Sequence, residues 1–154
     1  MRDVMFYSSS IIKPGCDFSD AIIIRNSVFV EEQGFPADDE IDKHDSNAFH
    51  LIIYHYSETK KTPIACGRIY IIDNIAKIGR IAVLKEWRKQ GLATKICSEL
   101  EDLAWKLNVK EIQLHAETYV IALYQKLGYL VEGEPFMKGN ILHITMVKKV
   151  KDKA

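Results

Sequence analysis

Hydrophobic positions along this chain change their spacing several times, and each change marks an element. Val4 to Ser9 reads as a first strand. From Asp17 to Gln33 the apolar positions, including Ile22, Val28 and Phe29, support a helix, with Asp17 or Ser19 as its N-cap and Gly34 as its stop. The β-branched run Ile22-Ile23-Ile24 weakens helix propensity locally. Phe35 to Asn47 is polar, holds Pro36 and the carboxylates Asp38, Asp39, Glu40, Asp42 and Asp45, and reads as a solvated loop. Phe49 to Tyr56 and Ile64 to Ile72 read as strands joined by the polar stretch Ser57 to Pro63. Asp73-Asn74 is a turn dipeptide that closes a hairpin into Ala76 to Leu84. Leu92, Ile96, Leu100, Leu103 and Leu107 then recur at helical spacing until Asn108, within a strongly helical run from Thr94 to Leu107. Glu111 to Ala116 is a strand, Val120 to Leu127 a short helix stopped by Gly128, and Tyr129 to Glu132 and Ile141 to Val147 are the last two strands.

This order predicts one α/β domain over residues 1–154, with a mixed, largely antiparallel central sheet and helices on both faces. Strand, helix and strand from Ala76 to Ala116 form a right-handed crossover between parallel neighbours. A chain of 154 residues buries a proper core, and 47% hydrophobic with 27% charged residues is ordinary for a soluble globular protein. Its 21 basic and 21 acidic side chains cancel, which argues against nucleic-acid binding through bulk charge and leaves only a local basic patch open. No apolar run approaches the roughly 20 residues of a membrane span. Met1-Arg2-Asp3-Val4 lacks the apolar region of a signal peptide, so a cytoplasmic protein without a membrane partner is expected. The three cysteines form no C-x-x-C pair, which suits reduced thiols, and Cys66 and Cys97 lie in apolar runs as buried fillers. His44, His50, His55, His115 and His143 show no metal-ligand spacing, and no metal is expected.

Arg88-Lys89-Gln90-Gly91-Leu92-Ala93 lies between the strand ending at Leu84 and the long helix. A glycine turn from strand to helix exposes N–H groups that the helix cannot use and sets them at the positive end of its dipole, which suits a phosphate or pyrophosphate. A glycine before a helix is also common as a plain helix start. The pattern Arg-x-x-Gly-x-Ala resembles the R/Q-x-x-G-x-G/A pyrophosphate loop of the GNAT acyltransferases. Gly79-Arg80-Ile81-Ala82-Val83-Leu84 looks like that family's central strand, and Ala122 to Tyr129 looks like its "LYxKxGF" segment. Val28-Phe29-Val30-Glu31-Glu32-Gln33, then Pro36 and Asp42, resembles a subgroup with a "VFVxEQ…P…D" signature, whose last strand carries a histidine like His143 in an "H-x-x-M" context, matched by Met146.

The resemblance implies acetyl-CoA as cosubstrate, bound where the central strands Ile78 to Leu84 and Glu111 to Ala116 splay apart. It implies that the backbone of Ile81, Ala82 and Val83 pairs with the pantetheine arm. The N–H groups of Lys89, Gln90, Gly91, Leu92, Ala93 and Thr94 would hold the pyrophosphate. Arg88 is either a phosphate ligand, for which its fork is well shaped, or a solvated loop charge. Glu117 stands where many members carry a cofactor-contacting asparagine, which puts that contact in doubt. The implied reaction is direct attack of an amine on the acetyl thioester in a ternary complex, with a strand N–H near Ile81 to Val83 as oxyanion donor. Tyr124 matches the family tyrosine that acts as general acid near the cofactor sulfur, although a tyrosine on an apolar helix face is frequently core. Glu32, Glu117, His50, His115 and His143 are of suitable type for a base, and a water chain serves equally. Glu32, Asp42 and His143 are expected on the acceptor side, as an acidic wall suited to a cationic amine, whether small molecule or protein. Dimers are common in the fold, and a homodimer is open.

Two other readings remain to be weighed. A catalytically silent acyl-CoA-binding sensor would keep the same loop and strand. A helix-turn-helix DNA-binding module over Lys89 to Lys110 lacks the needed turn, because the helical pattern runs through Leu103.

Overall fold

The computed structural model describes residues 6–150. Strands β1 (Phe6–Ile12), β2 (Phe49–Tyr56), β3 (Lys61–Ile72), β4 (Ile75–Val83), β5 (Glu111–Glu117), β6 (Leu130–Lys138) and β7 (Ile141–Lys149) form one sheet, ordered β1-β2-β3-β4-β5-β7-β6. Every neighbouring pair is antiparallel except β4 and β5, which run parallel and are joined by helix α3 (Leu92–Lys106). The mixed, largely antiparallel sheet expected from the pattern is therefore present. Asp73 and Asn74 both take positive φ, 52° and 63°, the left-handed pair that a tight two-residue hairpin needs.

The sheet carries a core on each face. On one, Leu92, Ile96, Leu100 and Ala104 of α3 pack against Ile69, Ile78, Ile112 and Met146, with Tyr124 of helix α4 (Ile121–Lys126) at the edge. On the other, Ala21, Ile24 and Val28 pack against Ile52, Tyr54, Cys66 and Ala82. Burying apolar surface at about 25 cal/mol per Å² makes these two layers the principal source of stability. Cys66 and Cys97 are buried as expected, and burial pushes both thiols up to about 12, so neither is a nucleophile at neutral pH.

Several expectations are corrected. The first strand begins within the described residues at Phe6 and runs to Ile12, and the positions of Val4 and Met5 lie outside them. The first helix starts at Ser19, whose N–H donates to Asp17 Oδ1 at 2.9 Å. It is α-helical (α1, Ser19–Arg25) only as far as Arg25 and continues as a π-helix over Asn26–Glu32. The widened turns keep Val28 in the core while Phe29, Glu32 and Gln33 face a cleft. The α3 stripe closes on Ala104, with Leu103 half-buried and Leu107 exposed. The last hairpin is longer than its alternation suggests: β6 runs on to Lys138, but it is an edge strand exposed along nearly its whole length, so burial imposes no pattern on it.

The largest correction is Phe35 to Asn47. It contains a short helix, α2 (Ala37–Glu40), and a 3-10 turn (Asp45–Asn47), and it buries Glu40 and Asp45 at 4% and 2% exposure. Three guanidiniums explain how these carboxylates leave water. Arg25 donates from Nε to Glu40 Oε1 at 2.5 Å and from Nη1 and Nη2 to Asp45 at 2.8 and 3.0 Å. Arg68 grips Asp42 through two bonds of 2.7 Å and reaches Asp45 Oδ1 at 2.9 Å. Arg80 donates to the Glu40 carbonyl at 3.1 and 3.2 Å and to Asp42 Oδ2 at 3.2 Å. Isolated, each buried charge would cost several kcal/mol, and here the charges compensate one another.

Candidate active site

One extra residue in β4 opens the sheet. Arg68 pairs with Gly79 but Cys66 pairs with Ala82, so two β4 residues, Arg80 and Ile81, stand opposite Gly67 alone. Arg80 absorbs this bulge at φ 51°. Because side chains alternate, the slip exchanges faces. Ala76 and Ile78 pack into the α3 layer before the bulge, whereas Ile81 and Val83 pack toward it afterwards and Ala82 joins the opposite layer. Pairing with β5 runs from Ile75 and Glu111 to Ile78 and Leu114, and the two parallel strands separate beyond that point. Ile81, Ala82 and Val83 line the resulting gap.

At the far end of β4 the chain passes a 3-10 turn (Lys85–Trp87) and enters the glycine loop. Lys89 and Gly91 take positive φ, 63° and 77°, and α3 starts at Leu92. Only glycine adopts the second conformation without a Cβ penalty. The Gly91 carbonyl accepts from the Lys95 N–H at 3.0 Å. The N–H groups of Lys89 through Thr94 have no acceptor among the described residues. Those amides head a helix of 15 residues, so donors and helix dipole coincide. Gln90 turns its side chain aside, where Oε1 accepts from the Tyr7 hydroxyl at 2.6 Å.

Gap and loop belong to one cleft of about 1320 Å³. This exceeds the roughly 300–1,000 Å³ of a pocket for one small molecule. Tyr124 reaches it from α4 and is 8% exposed. Burial, then Cys97 and the Glu117 carboxylate, raise its phenol well above the ordinary range, so at neutral pH it stays protonated. Tyr129, also buried, packs edge-on against Tyr124 with ring centres 6.0 Å apart. Glu117 stands at the end of β5, 3.5 Å from Gln33 Nε2.

The structure brings Glu32, Asp42 and His143 to this cleft, but in other surroundings than expected. Arg88 is drawn away from the loop's open amides: Nη1 and Nη2 donate to Glu32 at 2.7 and 2.5 Å, and Nε donates to the Val83 carbonyl at 2.9 Å. The hydrogen bonds from Arg88 hold the Glu32 carboxyl below its usual range. Burial works against the Asp42 carboxylate, yet Arg68, the His44 amide and Arg80 hold it below its usual range too. An acidic wall of free carboxylates is therefore absent among these residues. His143 is buried, with Nδ1 2.8 Å from the Ile141 carbonyl and its ring stacked on Phe136. His115 also lines the cleft, whereas His50 is stacked on Phe18 with Nε2 2.9 Å from the Asp45 carbonyl, away from it. Sequence reasoning passed over Arg68, Arg80, Lys77, Lys138 and Gln33, all of which line the cleft. The available signal was two basic residues, Lys77 and Arg80, inside an otherwise apolar strand.

A parallel strand pair parted by a bulge thus stands beside a loop of open amides at the head of a helix. Residues 20–129 match the model of the acetyltransferase (GNAT) family, and the chain belongs to that family. The protein YyaT of Bacillus subtilis (strain 168) is 36% identical over 137 residues, covering 87% of this chain and 90% of its own length. Two solved structures share the fold. An acyl-CoA N-acyltransferase from Pseudomonas aeruginosa superposes with a TM-score of 0.81 at 22% identity, covering 93% of this chain and 99% of its own. A GNAT family acetyltransferase from Elizabethkingia anophelis with acetyl-CoA bound superposes with a TM-score of 0.69 at 15% identity, covering 94% and 98%.

Proposed function

We propose that this protein, as one domain over residues 1–154, moves an acetyl group from acetyl-CoA to a primary amine by direct attack in a ternary complex. The observation that carries the reading is the continuity of the β4–β5 gap with the unpaired amides of Lys89 to Thr94. The acetyl-CoA bound to the Elizabethkingia anophelis relative supports the choice of cosubstrate.

The pyrophosphate docks on the loop amides, and the pantetheine arm lies along Ile81 to Val83 as an added strand. The amine attacks the thioester carbonyl, and a β4 N–H receives the developing oxyanion. Collapse of the tetrahedral adduct breaks the carbon–sulfur bond, and Tyr124 gives its proton to the departing thiolate. His115, His143 and Glu117 are cleft-lining groups of suitable type to take the proton of the amine, directly or through water. Burial, then Lys138, Lys77 and His143, lower the His115 pKa and keep its ring neutral. Arg88 and Glu32 act as a strap across the mouth rather than as primary ligands. The free thiols of Cys16, Cys66 and Cys97 support a cytoplasmic setting.

Calorimetric titration with acetyl-CoA and CoA, followed by thiol release across an amine panel, tests the reading. Saturable binding with amine-dependent thiol release is expected. Binding without release from any amine would favour the silent sensor, and absence of binding would end both readings.

A further inference from the structure

The half of the cleft away from the glycine loop is cationic. It lies on the sheet face opposite α3, where odd-numbered β5 residues and Lys77 of β4 point away from the core. The Arg25, Arg68 and Arg80 guanidiniums are balanced by Glu40, Asp42 and Asp45. Two further cations line the same space without a carboxylate partner. Lys77 Nζ donates to the neutral Gln113 amide, and Lys138 has no hydrogen bond or ion pair among the described residues. The carboxylates not engaged by an arginine are Asp39, exposed at the rim, and Glu117, facing Gln33 at the strand gap.

The β6–β7 turn holds Lys138 in place. Gly139, at φ 61°, sits against Phe35, where an added Cβ would stand 2.5 Å from the ring. The tip of the hairpin is thereby seated over the segment that follows the first helix, and Lys138 is carried to the Arg80 side of the cleft. Partial desolvation, then the positive fields of Arg80 and Arg68, lower the Lys138 pKa, and the Asp42 carboxylate offsets them only in part. Arg80 still has Nη1 unused among the described residues. A group of like charges around one cavity is unfavourable until an anion enters it.

We propose that the acceptor carries, besides its amine, an anionic group, a carboxylate or a phosphate, that docks between Lys138, Arg80 and Lys77. This rests on the acetyltransferase reading and names its substrate class: amino-acid-like or phosphorylated amines, and not polyamines. The same positive field disfavours the ammonium form of the bound acceptor and so supplies more of the neutral amine that attacks the thioester.

Matched acceptors that differ only in the anion test this: L-amino acids against their carboxamides, and phosphoethanolamine against ethanolamine. Two readouts are followed, thiol release from acetyl-CoA and protection of the CoA-loaded protein against heat. The anionic member of a pair is expected to lead by about tenfold or more in kcat/KM or in half-saturating concentration. Lys138→Gln should cut that lead to about threefold or less, and Lys138→Arg should restore it. Which pair shows the lead separates carboxylate from phosphate. Equal members, a lead for the uncharged member or for polyamines, a lead that survives Lys138→Gln, or no response to any anionic probe would each overturn the proposal. Acetyl-CoA affinity, measured by calorimetry on the same samples, reports separately on the acetyltransferase reading, because Lys77, Arg80 and Lys138 lie outside the loop of residues 88–94.

Discussion

The two ends of the cleft are built from different materials. At the glycine loop the functional groups are backbone amides, held by two left-handed residues and the start of a helix. At the opposite end they are charged side chains drawn from distant parts of the chain, its arginines and carboxylates held by one another and its two lysines, Lys77 and Lys138, outside that network. A backbone site depends on local conformation and tolerates most side-chain changes. A side-chain site depends on partners distant in sequence, and losing one leaves the others buried and uncompensated. The first kind suits a cosubstrate shared by a whole family, and the second suits an acceptor that differs between members.

The sharpest way to break this contrast is to remove one partner from the charged end. Arg25→Leu takes from Glu40 its closest cation and from Asp45 one of its two, and should cost about 3–5 kcal/mol, a fall of roughly 10 °C in Tm for a chain of this size. A thermal melt checks it, and an unchanged Tm would show that the network is incidental. Acid should reach the same end by titration. Burial, opposed and exceeded by hydrogen bonds from Arg25, the Asp42 amide and Arg68, leaves the Asp45 carboxyl well below its ordinary value. The unfolded chain therefore takes up that proton first, and stability present above about pH 3.9 drains as the pH falls further. His50 behaves similarly at a higher pH, because burial lowers its pKa. The buried ring stays neutral while the unfolded chain protonates, so stability also declines as the pH falls below about 6.5. Melts from pH 7 to pH 3 should show both stages, and a Tm flat down to pH 4 would contradict the buried neutral histidine.

At the junction of the two ends, Tyr124→Phe should lower kcat by about a hundredfold while acetyl-CoA affinity stays put. A rate equal to the parent would make Tyr124 a core residue and nothing more. The smallest effect is expected at the strap. Glu32→Gln breaks a half-exposed pair worth about 0–1 kcal/mol, and the acceptor KM should move less than about threefold. A rise beyond about tenfold would return Glu32 to the acceptor wall as first expected from its sequence context.

What could be read without coordinates follows the same division. Most strands, α3 and the turn at Asp73-Asn74 were legible because alternation, helical spacing and turn chemistry are local. The glycine loop was legible because Gly91 and the helix after it are neighbours in sequence. Glu40 and Asp45 were misread as solvated, since nothing in an acidic stretch announces that Arg25 and Arg68 will fold onto it. Arg88 and Asp42 each have an obvious chemical use toward a ligand, and only the fold reveals that each also pairs with a protein side chain. The π-helical winding after Arg25 has no sequence signature here. The length of β6 was hidden because an edge strand exposed on both faces shows no alternation.

The central claim is that a pyrophosphate binds the unpaired amides ahead of α3, and Gly91→Asp addresses it most directly. The substitution puts a carboxylate and a strained left-handed residue where the anion would sit. Calorimetry with acetyl-CoA should give saturable one-to-one binding for the parent. The variant, with its fold verified by a cooperative melt, should bind at least about tenfold more weakly, some 1.4 kcal/mol. Equal affinity in the two proteins, or no heat from the parent at millimolar acetyl-CoA, would contradict the account.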